Sequence, residues 1–125
     1  MKYRISASIV LGVMLAAGSA WAHHNASNID FTKRVTLTGT LTKLDWRNPH
    51  VEFSLEVKGD QGQAESWLIE SGAPNGFATR KIGKADFEKA IGQTVTVEAS
   101  PARDGSRFGS FQKITFPDGR VFERR

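Results

Sequence analysis

From residue 34 onward, hydrophobic and polar residues alternate with a period of two through most of the chain, the pattern of strands with one buried and one solvated face. Val35, Leu37, Gly39 and Leu41 fall on one side of the first run, and Thr36, Thr38, Thr40 and Thr42 on the other. Beyond Lys43 the parity inverts, because Leu44 and Trp46 are even-numbered. A bulge or bend near Gly39 or Thr42 accounts for the inversion, and such bends turn the corners of small barrels. A second run puts Val51, Phe53, Leu55 and Val57 on one face and Glu52, Ser54, Glu56 and Lys58 on the other. Gly59-Asp60-Gln61-Gly62 reads as a hairpin turn, and residues 65–71 as a third strand with Trp67 and Ile69 opposite Leu68 and Glu70.

The segment Ser71-Gly72-Ala73-Pro74-Asn75-Gly76 carries every local signal of a loop. A short helix is predicted next, starting at Lys84, Ala85 or Asp86, with Phe87, Ala90 and Ile91 as its apolar stripe and Gly92 as its stop. Residues 94–99 return to strand periodicity with Val95 and Val97 inward, and Pro101 ends the run. Asp104-Gly105-Ser106 turns the chain into a strand over residues 107–116. Pro117-Asp118-Gly119-Arg120 then makes a tight turn before a short strand at 121–123. This order predicts a mainly β fold: a small OB-fold-like antiparallel barrel of five or six strands, with one short helix between strands three and four. Another small β-barrel or roll with a helix across one open end is the alternative.

The first 22 residues break the pattern. Lys2 and Arg4 precede an apolar run over residues 5–17, and Ala20-Trp21-Ala22 offers small residues where a signal peptidase cuts. A secretory signal peptide over residues 1–22, cleaved after Ala22, is expected. The run is short for a membrane span, which needs about 20 apolar residues, and an uncleaved anchor is the competing reading. Cleavage would leave a periplasmic or secreted protein with no stable membrane insertion. Residues 23–33 are polar and aperiodic and read as a flexible arm whose end Phe31 pins, leaving 34–125 as one barrel domain.

Charge changes the picture less than it first suggests. The formal charge of +4 includes Lys2 and Arg4, so the cleaved chain has 15 basic against 13 acidic residues. Arg103, Arg107, Arg120, Arg124 and Arg125 crowd the carboxyl-terminal part, but an exported protein seldom meets nucleic acid, and a solvated basic face is the expectation. With no cysteine, disulfides and thiolate metal sites are excluded.

The candidate chemistry centres on three histidines, His23, His24 and His50. Cleavage before His23 would set a free amine beside an imidazole on one residue. Amines titrating near about 8 and imidazoles near about 6.5 are available as neutral ligands in mildly basic media. His50 follows the Asn48-Pro49 turn dipeptide and falls by parity on the polar side with Glu52. A nitrogen-rich set of this kind suits a copper-type ion, while zinc would recruit a carboxylate such as Asp30, Glu52 or Glu70. The competing reading makes His23 and His24 polar residues tolerated after a cleavage site and His50 part of the turn. Trp46 and Trp67 supply either an aromatic platform for a sugar or other planar ligand or core side chains. Glu70 is either an acid or ligand or a solvated strand-end carboxylate, and Asn48 is a further ligand-binding candidate. No nucleophile elbow, phosphate-binding glycine loop or serine-histidine-aspartate set supports catalysis, so a non-enzymatic role is expected.

Taken together, Ala22-His23-His24, Val35-Thr36-Leu37-Thr38-Gly39-Thr40, Asp45-Trp46-Arg47-Asn48-Pro49-His50, Trp67 with Glu70, Pro74-Asn75-Gly76, Asp104-Gly105-Ser106 and Pro117-Asp118-Gly119-Arg120 are familiar. The chain resembles the small secreted bacterial proteins of the domain of unknown function 6152 family over nearly all of its length after the signal peptide. The resemblance implies a signal peptide, a compact β-rich domain and no assigned activity, hence no catalytic residues to carry over. Residues matching the family pattern at ligand positions are His23, His24, Trp46, Asn48, His50, Trp67 and Glu70. The chain departs from that pattern at Asn25-Ala26, where Ser-Phe would stand, and between Phe77 and Lys84. The expected function is therefore an extracytoplasmic domain that binds a small ligand, with copper held by the new amino terminus and His50. The alternative is an interaction module that takes an extracytoplasmic protein, a peptide or a glycan in a barrel groove.

Overall fold

The first of six strands, β1 (Val35–Trp46), is long because two different neighbours share it. The computed structural model describes residues 26–125, so the expected signal peptide and both His23 and His24 lie outside the described residues. The first half of β1 pairs with β4 (Thr94–Pro101), from Val35↔Ala99 to Thr40↔Thr94, and the second half with β2 (Val51–Lys58), from Gly39↔Val57 to Trp46↔Val51. Only Gly39 and Thr40 are flanked on both sides, and the strand bends there. A register shift between Leu41 and Lys43 adds the bulge that returns Leu44 and Trp46 to the inner face, resolving the parity change.

β2 continues through a hairpin into β3 (Ala64–Glu70), while β4 turns into β5 (Phe108–Thr115), and a parallel β3–β5 pair closes the ring. The barrel is therefore five-stranded, in the circular order β1-β2-β3-β5-β4 expected of an OB-like fold. The expected small barrel is present, and among the described strands the β3–β5 pair is its one departure from antiparallel pairing. An odd number of strands cannot alternate direction all the way around a closed ring, so one neighbouring pair must run the same way. β3 occupies only Phe108–Ser110 along the edge of β5, and the sixth strand, β6 (Val121–Glu123), takes the rest of that edge at Lys113–Thr115.

Two helical pieces lie between β3 and β4 where one was predicted. α2 (Lys84–Ala90) matches the sequence expectation, with Asp86 accepting the Gly83 backbone N–H at its start and Gly92 at φ +83° just beyond its end. Ile91 leaves the expected stripe: its backbone is extended, it is exposed, and it bridges to Leu41 instead. α1 (Asn75–Ala78) is a single turn that takes up the last two residues of the predicted loop, Asn75 and Gly76, and it inserts Phe77 into the core.

Phe87 of α2 plugs one end of the barrel. Its ring is fully buried, with centroids 5.4 Å from Phe53, 5.2 Å from Phe116, 5.8 Å from Phe77 and 5.6 Å from Trp46. Below it, Leu41, Val51, Leu55, Ile69, Val95, Val97 and Ile114 fill the interior. A second, smaller cluster lies outside the ring, where Ile29, Ala102 and Phe108 pack with Leu68. Ile29 belongs to the segment expected to be a flexible arm. From a 3-10 turn at Ala26–Asn28 onward that segment is docked: Ile29 bridges Ala102, the Asp30 N–H donates to the Pro101 carbonyl at 2.9 Å, and the Arg103 N–H donates to that of Asn28 at 2.7 Å. Ile29 anchors it, while Phe31 is exposed, because the outer face of β3 and β5 offers an apolar seat to the first residue and none to the second.

Candidate functional site

The turn between β1 and β2 consists of Arg47, Asn48, Pro49 and His50, all exposed, and its Asn48–Pro49 peptide is cis. Its base is fixed from two directions. On one side Trp46 packs against Phe77 at 4.9 Å and against Phe87; on the other, Val51 exchanges backbone hydrogen bonds with the end of β3, Ser71 N–H to Val51 O and Val51 N–H to Gly72 O. This ladder carries Glu70 to the side of His50. Nδ1 of His50 lies 3.6 Å from a Glu70 carboxylate oxygen, with the side chains 48% and 27% exposed, so the pair is open to a solute. His50 faces the polar side, as its parity indicates.

The strand register lines up more carboxylates beside this pair. Asp45 lies opposite Glu52, and Glu52 opposite Glu70, so one acid from each of β1, β2 and β3 forms a row across the outer face. Like charges directly opposite one another in a sheet are destabilising. Arg47 relieves Asp45 at 2.9 Å and His50 stands beside Glu70, while Glu52 has no ion pair among the described residues. A cation would be welcome here. Among the described residues, however, no three His, Asp or Glu donors converge on one point, and His50 and Glu70 stand as a pair.

The other expected residues are placed as follows. Asn48 is exposed in the turn. Trp46 and Trp67 are both half-buried and packed against the main core rather than standing together on the surface, and the buried Trp67 indole N–H has no hydrogen-bond partner among the described residues. Asp30, considered as a zinc ligand, is engaged elsewhere. The Thr32 hydroxyl and backbone N–H bond it, Arg103 and Lys33 flank it, and these contacts hold its carboxyl below the usual range.

The crowded carboxyl-terminal arginines divide into two kinds. Arg103 pairs with Asp30 at 3.9 Å, Arg107 with Glu65 at 3.3 Å, and Arg120 with Asp86 at 2.7 Å and Asp118 at 2.8 Å. The last group ties α2 to the turn before β6. The Gly83 N–H and the Arg120 guanidinium together depress the Asp86 carboxyl, and the backbone N–H and guanidinium of Arg120 do the same for Asp118. Arg124 pairs with no carboxylate among the described residues; with Arg80 it borders a cleft floored by Phe77, Phe111 and Phe122. Sequence reasoning missed this cleft because its residues come from three separated stretches. The one local sign was a phenylalanine two residues before an arginine in the last strand.

Comparison with curated proteins finds no match. The profile of a family of unknown function, DUF6152, matches residues 11–112, most of the chain including the turn, His50 and Glu70, and the protein belongs to that family.

Proposed function

We propose that this protein is an exported, non-enzymatic domain that binds a copper-type metal ion between the β1–β2 turn and the amino terminus released after Ala22. His50 gives a ring nitrogen, Glu70 an oxygen, and His23 its amine and ring, with His24 available to complete the set. The observation that carries the reading is the 3.6 Å approach of His50 Nδ1 to Glu70. A nitrogen and an oxygen at that separation both reach an ion through bonds of about 2 Å when the angle at the metal is roughly 120°. The row of acids ending at Glu70 supplies the negative field that favours a cation, and the mixture of nitrogen donors with one carboxylate suits Cu(II).

The test uses protein beginning at His23 with a free amine, titrated with Cu(II) by calorimetry and by electron paramagnetic resonance. Each imidazole or carboxylate lost should weaken binding by about tenfold or more, so His50→Ala and Glu70→Gln should each do so, and one added amino-terminal residue should alter the nitrogen hyperfine pattern. An affinity for His50→Ala equal to that of the unaltered protein would remove the turn from the site.

A further inference from the structure

We propose that the cleft between α1 and β6 binds a small arylcarboxylate, its ring against the phenylalanine floor and its carboxylate on the guanidinium groups of Arg80 and Arg124. The site is separate from the metal-binding reading and does not depend on it.

The cleft holds about 180 Å³. Its floor is three rings in near-parallel array: Phe122 lies 4.9 Å from Phe77 at 25° and 5.6 Å from Phe111 at 18°. Gly72 and Gly76 border it, and a methyl group built on either would meet nothing within 4 Å, so those walls leave room for a solute. The rings are almost wholly buried and lend the cleft an apolar floor, against which a flat aromatic ring is favoured. At close packing this volume accommodates on the order of ten non-hydrogen atoms, the size of one ring with a short acid arm.

Charge selects the class of ligand. Arg47, Arg103, Arg107 and Arg120 each lie within 4 Å of a carboxylate, and Arg34, which does not, has its guanidinium taken up by the carbonyls of Phe31 and Lys33 and by Ser100 and Gln112. Arg80 and Arg124 also lack a carboxylate among the described residues, and no Asp or Glu lines the cleft. Arg80 is held in place by donating to the Glu123 backbone carbonyl and by lying 5.3 Å over the Phe122 ring. The Arg124 guanidinium makes one long contact, 3.4 Å, to the Ser110 hydroxyl. A guanidinium has five N–H donors in a planar fork that matches a carboxylate, so most of the donor capacity of both arginines remains open. An apolar floor would accept many ligands; two uncompensated cations beside it favour an anionic one. The larger open groove that shares Arg80, Phe122 and Arg124, about 870 Å³, gives access from solvent.

The experiment is a titration of sodium phenylacetate into protein expressed from the full chain, followed by amide and arginine side-chain NMR shifts. Tryptophan fluorescence serves as a second signal, since the Trp46 ring contacts Phe77. Saturable shifts at Gly72, Phe77, Arg80 and Phe122 are expected, with a dissociation constant of roughly millimolar or tighter for a ligand of this size. Phenylacetamide, the neutral isostere, should bind about tenfold more weakly because it forfeits the charge-assisted bonds. The double variant Arg80→Gln, Arg124→Gln, checked for a native amide spectrum, should bind acid and amide alike. Equal binding of acid and amide to the unaltered protein, saturable shifts confined to another face, or no saturable shift at all would each overturn the assignment. An Arg→Gln variant that keeps its preference for the acid would do the same.

Discussion

Gly39 is the residue on which the closed barrel depends most directly, and Gly39→Ala tests that dependence. It is flanked by Val57 of β2 on one side and Val95 of β4 on the other, at the bend where β1 passes from one neighbour to the next. A Cβ there would stand 2.3 Å from the carbonyl oxygen of Glu56, 3.0 Å from its carbon and 3.1 Å from a Val57 methyl. The oxygen is backbone, so no flexible side chain can swing aside, and relief requires β1 and β2 to separate by about 1 Å to restore ordinary contact. β4 blocks retreat from behind. Overpacking of this kind costs about 1–3 kcal/mol, and loosening one ladder hydrogen bond adds about 1 kcal/mol. The stiffer unfolded chain offsets up to about 1 kcal/mol, leaving a net loss of about 1–4 kcal/mol, centred near about 2 kcal/mol. Urea unfolding followed by tryptophan fluorescence should show the midpoint falling by about 1–2 M at an unchanged slope. Gly76→Ala, where the new methyl meets nothing within 4 Å, has no such clash and should leave stability unchanged or raise it by up to about 1 kcal/mol. A Gly39→Ala midpoint equal to or above that of the unaltered protein would refute the close approach as the reason for glycine.

Three further outcomes are expected. Phe87→Ala removes the ring that touches Phe53, Phe77, Phe116 and Trp46 and should cost about 3–5 kcal/mol in the same unfolding assay; a loss below about 1 kcal/mol would mean α2 is no plug. Asp86→Ala should cost about 1 kcal/mol at neutral pH by opening the start of α2. Because the folded carboxyl is depressed below its usual 3.8, that contribution is present above the ordinary carboxylate range and lost as pH falls through the lower folded value. The gap between variant and unaltered protein should therefore narrow as the pH falls below the ordinary carboxylate range, and a gap constant with pH would contradict the assignment. Ile29→Ala should cost about 2 kcal/mol and act locally, with amide exchange at Asp30 and Arg103 accelerating more than exchange in β1; uniform acceleration would mean that the segment and the barrel open together.

Alternation alone carried the strands and the direction of His50, because a half-buried strand writes its two faces into adjacent residues. The inversion after Lys43 was likewise readable as a bend. Contacts between distant segments left no such trace. Phe77 looked like a residue near a loop, because a single turn has too few residues to show helical periodicity, and only the depth of its ring in the core reveals α1. Ile91 continues the helical spacing of Phe87 and Ala90, but the chain leaves the helix one residue earlier to bridge Leu41, so spacing misassigned it. Phe31 was the more conspicuous anchor than Ile29 by size, yet the seat on β3 and β5 is reached two residues sooner. The approach of Glu70 to His50 required the register of β2 on β3 and the backbone bonds joining Val51 to Ser71 and Gly72, information held by the pairing and not by either residue.

The same closure explains why the two proposed sites lie close together without neutralising each other. β3 and β5 run parallel, with Glu70 opposite Ser110, so the last acid of the row across β1, β2 and β3 borders the strand from which Arg124 is reached. Arg124 extends to the Ser110 hydroxyl, and no ion pair with Glu70 forms. Had the guanidinium reached one residue further, it would have satisfied the carboxylate beside His50 and consumed the open donors at the phenylalanine cleft together. An exposed pair of that kind contributes at most about 1 kcal/mol to stability, so little is lost by leaving it unmade. Leaving it unmade keeps Glu70 beside His50 and leaves the Arg124 guanidinium with a single long contact, to the Ser110 hydroxyl, which is the arrangement both proposals require.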